Sequence, residues 1–345
     1  MPGLKGFLNP PRELTRGAVP NVEQYKKKAD SLRNARQLIK EQRKQIKEQE
    51  KAIRNARQKI LTRREVLATK DREIFELKNE LRVAKQQLEN VTKGRAAPQL
   101  EVESKTGALP DFIIIGAERC GTTFLYQLLA QHPDVERAVR KELNYFDNHF
   151  DKGIGWYRSQ FPPRLKYEQR FITGEATPTY LSHPVAPERM AGVVPQARLI
   201  ALLRNPVDRA YSYYHMQLRN TRLTLTFDEA IEAKDYREWV FERGIYVDQL
   251  LRWSKFFNKE QVLVLKSEDF FERTLENLKL IQDFLGLPTW QPELSMLSER
   301  QNPYLQAYRH ISYPPMNPVT RQRLETFFEP HNRRLYKYLD VDFGW

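Results

Sequence analysis

Residues 110–131, PDFIIIGAERCGTTFLYQLLAQ, restrict the fold more than any other stretch of the chain. Phe112 and the three isoleucines after it form a continuous apolar run, the pattern of a strand buried on both faces of a mainly parallel sheet. The LYQLLA run after Thr123 has helical spacing. Strand, tight loop and helix therefore follow in order. The loop, Gly116-Ala-Glu-Arg-Cys-Gly121-Thr122-Thr123, places two glycines, two hydroxyls and the cation of Arg119 at the helix N-terminus. Unpaired backbone N–H groups and the helix dipole favour an anion there. The competing reading of the same residues is a capped helix start with no ligand.

The glycine separation is that of the phosphate-binding loop G-x-x-x-x-G-K-[ST], but Thr122 stands where that motif has lysine. The cation that would reach the β and γ phosphates of a nucleoside triphosphate is missing, which argues against ATP or GTP hydrolysis. A second apolar strand pattern, 197–203, runs into Arg204, and Asn205-Pro206 then opens a helix that carries Ser212 two turns in. Ligands of open α/β sheets bind at such carboxyl strand ends. An arginine fork with a nearby hydroxyl suits a phosphate dianion.

Arg119-Cys120-Gly121-Thr122-Thr123 resembles the 5′-phosphosulfate loop of the sulfotransferases, which use 3′-phosphoadenosine 5′-phosphosulfate (PAPS) and whose fold is related to that of nucleotide kinases. Arg204 and Ser212 match the family's 3′-phosphate pair in order and spacing. Arg140-Lys-Glu142-Leu-Asn144-Tyr-Phe-Asp147 is similar to the Lys-Glu-x-His-(Phe/Tyr)-Phe-Asp segment of heparan-sulfate-type and bacterial members, in which the glutamate is the general base. Asn144 departs from that pattern, as does Ala176 in Gly174-Glu175-Ala176-Thr177-Pro178-Thr179-Tyr180, where many members have lysine. Arg243-Gly244-Ile-Tyr246, with Leu250 and Trp253, resembles a further family segment and is read as packing and cleft wall.

The resemblance covers 110–345 and implies an α/β fold: a P-loop-kinase-like parallel sheet flanked by helices, preceded here by a long coiled-coil helix. It implies sulfuryl transfer from PAPS to a hydroxyl acceptor, a carbohydrate or glycolipid. Arg119 would neutralise the charge developing on the sulfuryl group and the bridging oxygen, and with it the N–H groups of Cys120, Gly121, Thr122 and Thr123 would hold the 5′-phosphate. Arg204 and Ser212 would hold the 3′-phosphate, and Glu142 would take the acceptor's proton, with His149 as the alternative base. No metal is expected, because side chains supply the cations. The rival readings are a nucleotide kinase and a non-catalytic nucleotide-sensing scaffold whose basic arm binds a polyanion or an acidic membrane surface.

Of the net charge of +13, residues 1–110 carry +12, so the basicity belongs to an N-terminal arm. Residues 1–20 read as a disordered lead. Residues 21–93 contain neither Gly nor Pro, and Leu32, Ile39, Ile46, Ile53, Ile60, Leu67, Ile74, Leu81 and Leu88 recur every seven positions. That spacing predicts a coiled coil and a homo-oligomer, with a single solvated helix as the alternative. The partner heptad position is apolar mainly toward Leu77, Ala84 and Val91. Residues 94–109 read as a linker and 110–345 as one domain. Expected strands are 111–116, 170–174, 197–203 and 261–265; expected helices are 122–132, 206–220, 247–257, 270–285 and 318–339. The single cysteine, Cys120, allows no intramolecular disulfide, and the first residues lack the apolar run of a signal peptide. Both point to a cytoplasmic protein, with the arm able to reach an acidic membrane surface.

Overall fold

A computed structural model describes residues 107–163, 171–220, 225–293 and 313–345, together with scattered positions and short runs between 27 and 77. The chain divides into two compact units, Met1–Lys70 and Asp71–Trp345. In the first, every described position is helical, and Leu38 and Ile39 are exposed on the single chain. The expected disordered lead, most of the expected coiled coil and most of the linker lie outside the described residues.

The second unit is built on a five-stranded sheet in the order β2-β3-β1-β4-β5, with every pairing parallel. From β1 (Phe112–Gly116) the chain passes through α1 (Thr122–Leu129) to β2 (Val135–Arg137), then through α2 (Tyr145–Asn148) and α3 (Gly153–Arg158) to β3 (Ile172–Ala176). It continues through α4 (Ala186–Val193) to β4 (Arg198–Leu203). Next come α5 (Pro206–Asn220), α6 (Phe227–Glu232), α7 (Arg237–Val240) and α8 (Tyr246–Trp253), then β5 (Val262–Lys266). Among the described residues, α9 (Ser267–Glu272), α10 (Thr274–Leu285) and α11 (Pro318–Leu339) follow.

The apolar run takes the centre of the sheet because only a strand covered on both faces gives each of its side chains a dry site. All residues of β1 are buried, and it pairs with β3 on one side and β4 on the other. Each fully buried isoleucine contributes about 1.5–3 kcal/mol. The expected strands appear within one or two residues of their predicted bounds. β2 was not legible: it is a three-residue edge strand, Val-Glu-Arg, with too little apolar alternation to register.

The expected helix at 270–285 is two helices, broken at Arg273 (φ −124°, ψ 55°). The expected helix at 122–132 ends at Leu129, and the chain then turns where His132 Nδ1 accepts the Asp134 N–H at 3.0 Å. Gly107 and Ala108, ahead of Pro110, are buried, and Ala108 N–H donates to Pro162 O at 2.9 Å.

Two packed clusters support the carboxyl edge of the sheet. The larger joins the strands to α1, α8, α9 and α10, and includes Trp253, whose Nε1 donates to Leu181 O at 3.0 Å. The smaller gathers Val207, Ala210, Phe227, Leu324 and Phe328, clamping α5 between α6 and α11. Among the described residues, no helix is long and apolar enough to cross a membrane.

Candidate active site

The strand order sends the chain from β1 to one side of the sheet and from β4 to the other. The two following loops diverge, leaving a crevice at the carboxyl ends of β1 and β4. The register of β1 against β4 slips between Ile114 and Gly116, which is where the loop departs.

Gly121 caps α1 in the left-handed region (φ 95°) and offers no side chain to the first turn. The N–H groups of Thr122, Thr123 and Phe124 have no carbonyl one turn back, so they point out of the helix end as donors. A Cβ at Gly121 would lie 2.7 Å from the Phe271 ring, and that ring stacks on Phe124 at 5.5 Å. Glycine is therefore required here both for backbone conformation and for space.

The loop is tied down on every side. Ala117 N–H donates to Leu202 O at 2.8 Å, and Ser267 Oγ donates to Cys120 O at 2.8 Å. Cys120 N–H closes the turn on Ala117 O at 3.3 Å, so this residue is used in shaping the loop. Its side chain is fully buried, and burial pushes the thiol up to about 11, leaving it neutral and inert.

Arg119 meets both members of the expected Arg204–Ser212 pair. Arg119 sits at φ 68°, and its Nε donates to Ser212 Oγ at 3.2 Å. Because that hydroxyl accepts from arginine, its own proton remains available to an anion. Arg204 Nη1 donates to the Arg119 carbonyl at 3.4 Å, and Tyr246 Oη donates to Arg204 O at 2.9 Å.

Arg209, in the first turn of α5, is only 1% exposed. Its Nη2 donates to Trp239 O at 2.6 Å, while Nε and Nη1 meet no acceptor among the described residues. A buried guanidinium without a carboxylate partner makes this end of the fold electropositive. The helix spacing of Val207, Ala210 and Tyr213 could have marked that inward face, but an arginine among them reads as surface by composition. Glu118 of the loop is paired with Arg243, whose guanidinium lies 3.9 Å over the Trp239 ring, so the segment read as cleft wall also anchors the loop.

Glu142 lies on the same carboxyl edge, beside β3. Its N–H donates to Ala176 O at 3.0 Å, and Ala176 is the register partner of Ile114 in β1. The residue adopts φ 61°, and its exposed carboxylate pairs with Lys141 Nζ at 2.6 Å. Among the described hydrogen bonds, none joins Glu142 directly to Arg119. Asn144, where the resembling family has histidine, adopts φ 53° and turns its Nδ2 onto Glu142 O at 3.1 Å. His149, the alternative base, packs its ring edge-on against Trp156.

Glu175, next to Ala176 and without an assigned role in the sequence, is wholly buried. Tyr157 Oη and Tyr180 Oη donate to Oε1 at 2.8 and 3.1 Å, and Thr177 Oγ1 donates to Oε2 at 2.7 Å. Burial raises its carboxyl to about 7, against the lowering effect of those three hydroxyls.

With this geometry in place, the chain can be set beside known proteins. The fold is a parallel α/β sheet whose first strand runs through a glycine loop without the Walker lysine into an open helix N-terminus. Residues 109–317 match the family model described as the sulfotransferase domain. The chain is 32% identical over 270 residues to heparan sulfate glucosamine 3-O-sulfotransferase 6 of Mus musculus, spanning 72% of this chain and 78% of that protein. It is 32% identical over 257 residues to heparan sulfate glucosamine 3-O-sulfotransferase 3B1 of Homo sapiens, spanning 69% and 65%. Among solved structures, a sulfotransferase from Alicyclobacillus acidocaldarius is similar at 29% identity and a TM-score of 0.58, covering 69% of this chain and 98% of that one. The chain belongs to the sulfotransferase family.

Two measurements check this description. Gly121→Ala combines a left-handed alanine with a clash against Phe271, so urea denaturation should show a loss of about 2–4 kcal/mol; a loss under half a kilocalorie would contradict the packing. The Glu175 carboxyl, raised to about 7 in the fold from 4.5, is protonated more readily in the folded than in the unfolded protein. Its contribution is present below the lower value and lost as pH rises through the upper one. Glu175→Gln lacks this slope, so its stability relative to the parent should rise by about 3 kcal/mol between pH 5 and pH 8. A difference independent of pH would mean that Glu175 titrates normally.

Proposed function

We propose that the chain transfers a sulfuryl group from PAPS to a hydroxyl of a carbohydrate acceptor. One observation supports this above all: Arg119, in the loop that opens α1, bonds to Ser212 and accepts from Arg204, while Arg209 is buried on the same helix as Ser212. Carbohydrate acceptors are suggested by the names of the 3-O-sulfotransferase relatives, which specify heparan sulfate glucosamine.

In this reading PAPS supplies the activated sulfuryl group. The N–H groups at the start of α1 receive the 5′-phosphate, and Arg204 with Ser212 receives the 3′-phosphate. Arg119 balances the negative charge that grows on the bridging oxygen as the S–O bond to the 5′-phosphate breaks. Glu142 removes the acceptor's hydroxyl proton as the new O–S bond forms, which makes the hydroxyl a competent nucleophile. Placement and charge stabilisation account for most of the catalysis, as they do in phosphoryl transfer.

The arm is assigned to self-association. An uninterrupted seven-residue apolar spacing supports this, as do the helical positions described in it and the exposure of Ile39 on the single chain. Its excess of positive charge also suits an anionic polymer or an acidic membrane surface. A cytoplasmic location, suggested by the single cysteine, belongs to the same reading, although one relative bears the name membrane-associated sulfotransferase kil1 of Dictyostelium discoideum.

Arg119→Ala should leave urea stability within about 1 kcal/mol and lower the transfer of labelled sulfate from PAPS to heparan sulfate by about 100-fold or more. Retained turnover would remove Arg119 from the reaction.

A further inference from the structure

The segment that carries Glu142 has little regular structure of its own. Its helix, α2, is a single turn of four residues, and both Glu142 and Asn144 occupy left-handed backbone conformations that cost a non-glycine residue free energy. Such a segment keeps one shape only if its surroundings impose it.

The surroundings come from one buried carboxylate. Thr177 Oγ1 gives its proton to Glu175 Oε2, and its lone pair accepts the Asn144 N–H at 3.3 Å. Tyr180 Oη gives its proton to Glu175 Oε1, and its lone pairs face the N–H groups of Tyr145 at 2.7 Å and Phe146 at 3.4 Å. A hydroxyl that must donate to a carboxylate has its lone pairs turned the other way. Glu175 thus orients two hydroxyls, and these hold three consecutive backbone amides. Two residues upstream, the Glu142 N–H is fixed on Ala176 O, the residue between Glu175 and Thr177. Tyr157, the third donor to Glu175, stacks on Tyr145 at 4.3 Å and closes the arrangement from the far side.

We propose that Glu175 is a positioning residue for the transfer reaction, holding Glu142 in place through Thr177, Tyr180 and the amides of Asn144, Tyr145 and Phe146. The proposal rests on the sulfotransferase reading for what Glu142 does. The hydrogen-bond relay itself does not depend on that reading, and the two can fail separately.

Two experiments on the full-length chain test it. In amide hydrogen exchange, Thr177→Val should speed exchange at Asn144, and Tyr180→Phe at Tyr145 and Phe146, by tenfold or more, with Leu125 in α1 unchanged. Steady-state transfer from PAPS to heparan sulfate should show kcat reduced by about 100-fold in Thr177→Val, the scale expected of a misplaced catalytic group. The Kd for 3′-phosphoadenosine 5′-phosphate should not move, and Thr177→Ser should restore kcat. In a Glu142→Ala background, Thr177→Val should cost no more than about twofold further. Unchanged exchange at the three amides would overturn the relay whether or not the chain sulfates anything. Equal losses of kcat with and without Glu142 would show that Glu175 acts on stability alone. Faster exchange in a chain that binds no adenosine bisphosphate would keep the relay and defeat the sulfotransferase reading.

Discussion

Burial of β1 at the centre of the sheet decides where the loop after it can go. A strand covered on both faces must release its chain at the carboxyl edge. There the connections from β1 and β4 leave in opposite directions, and the loop meets α1 head-on. Gly121 lets the chain turn into the helix without a capping side chain, and Phe271 fills the space a side chain would have occupied. The open end of α1 is therefore a consequence of packing, and the anion preference follows from it.

Positive charge is then added in layers. Arg119 lies in the loop, Arg204 at the end of β4, and Arg209 is buried on the inner face of α5. The one loop carboxylate that could cancel this charge, Glu118, is matched by Arg243. Across the edge from these cations, the β3 side carries the carboxylates of Glu142, Asp147 and Glu175 among hydroxyl and aromatic side chains. Cation-rich and carboxylate-bearing halves on neighbouring strands suit a reaction in which an anion leaves one side while a proton is removed on the other.

Much of this was legible in the sequence, because the relevant residues are neighbours along the chain. The continuous apolar run of β1 announced a central parallel strand, the glycine–hydroxyl loop announced the helix end, and the distance from Arg204 to Ser212 gave two turns of α5. What could not be read depends on contacts between distant segments. Val135–Arg137 becomes a strand only because Ile172–Gly174 lies beside it. Arg209 looks like a surface residue until α6, α7 and α11 close over α5, and Glu175 is an unremarkable strand glutamate until Tyr157 and Tyr180 arrive from other elements. The break at Arg273 was hidden by an unbroken apolar period across α9 and α10.

Calorimetric titration of the full-length chain shows whether the edge of this sheet binds an adenosine bisphosphate. 3′-Phosphoadenosine 5′-phosphate should bind the parent protein and lose at least tenfold in affinity with Arg204→Ala, whereas ATP should not compete at equal concentration. Equal binding of ATP, or an affinity for the bisphosphate that ignores Arg204, would contradict it.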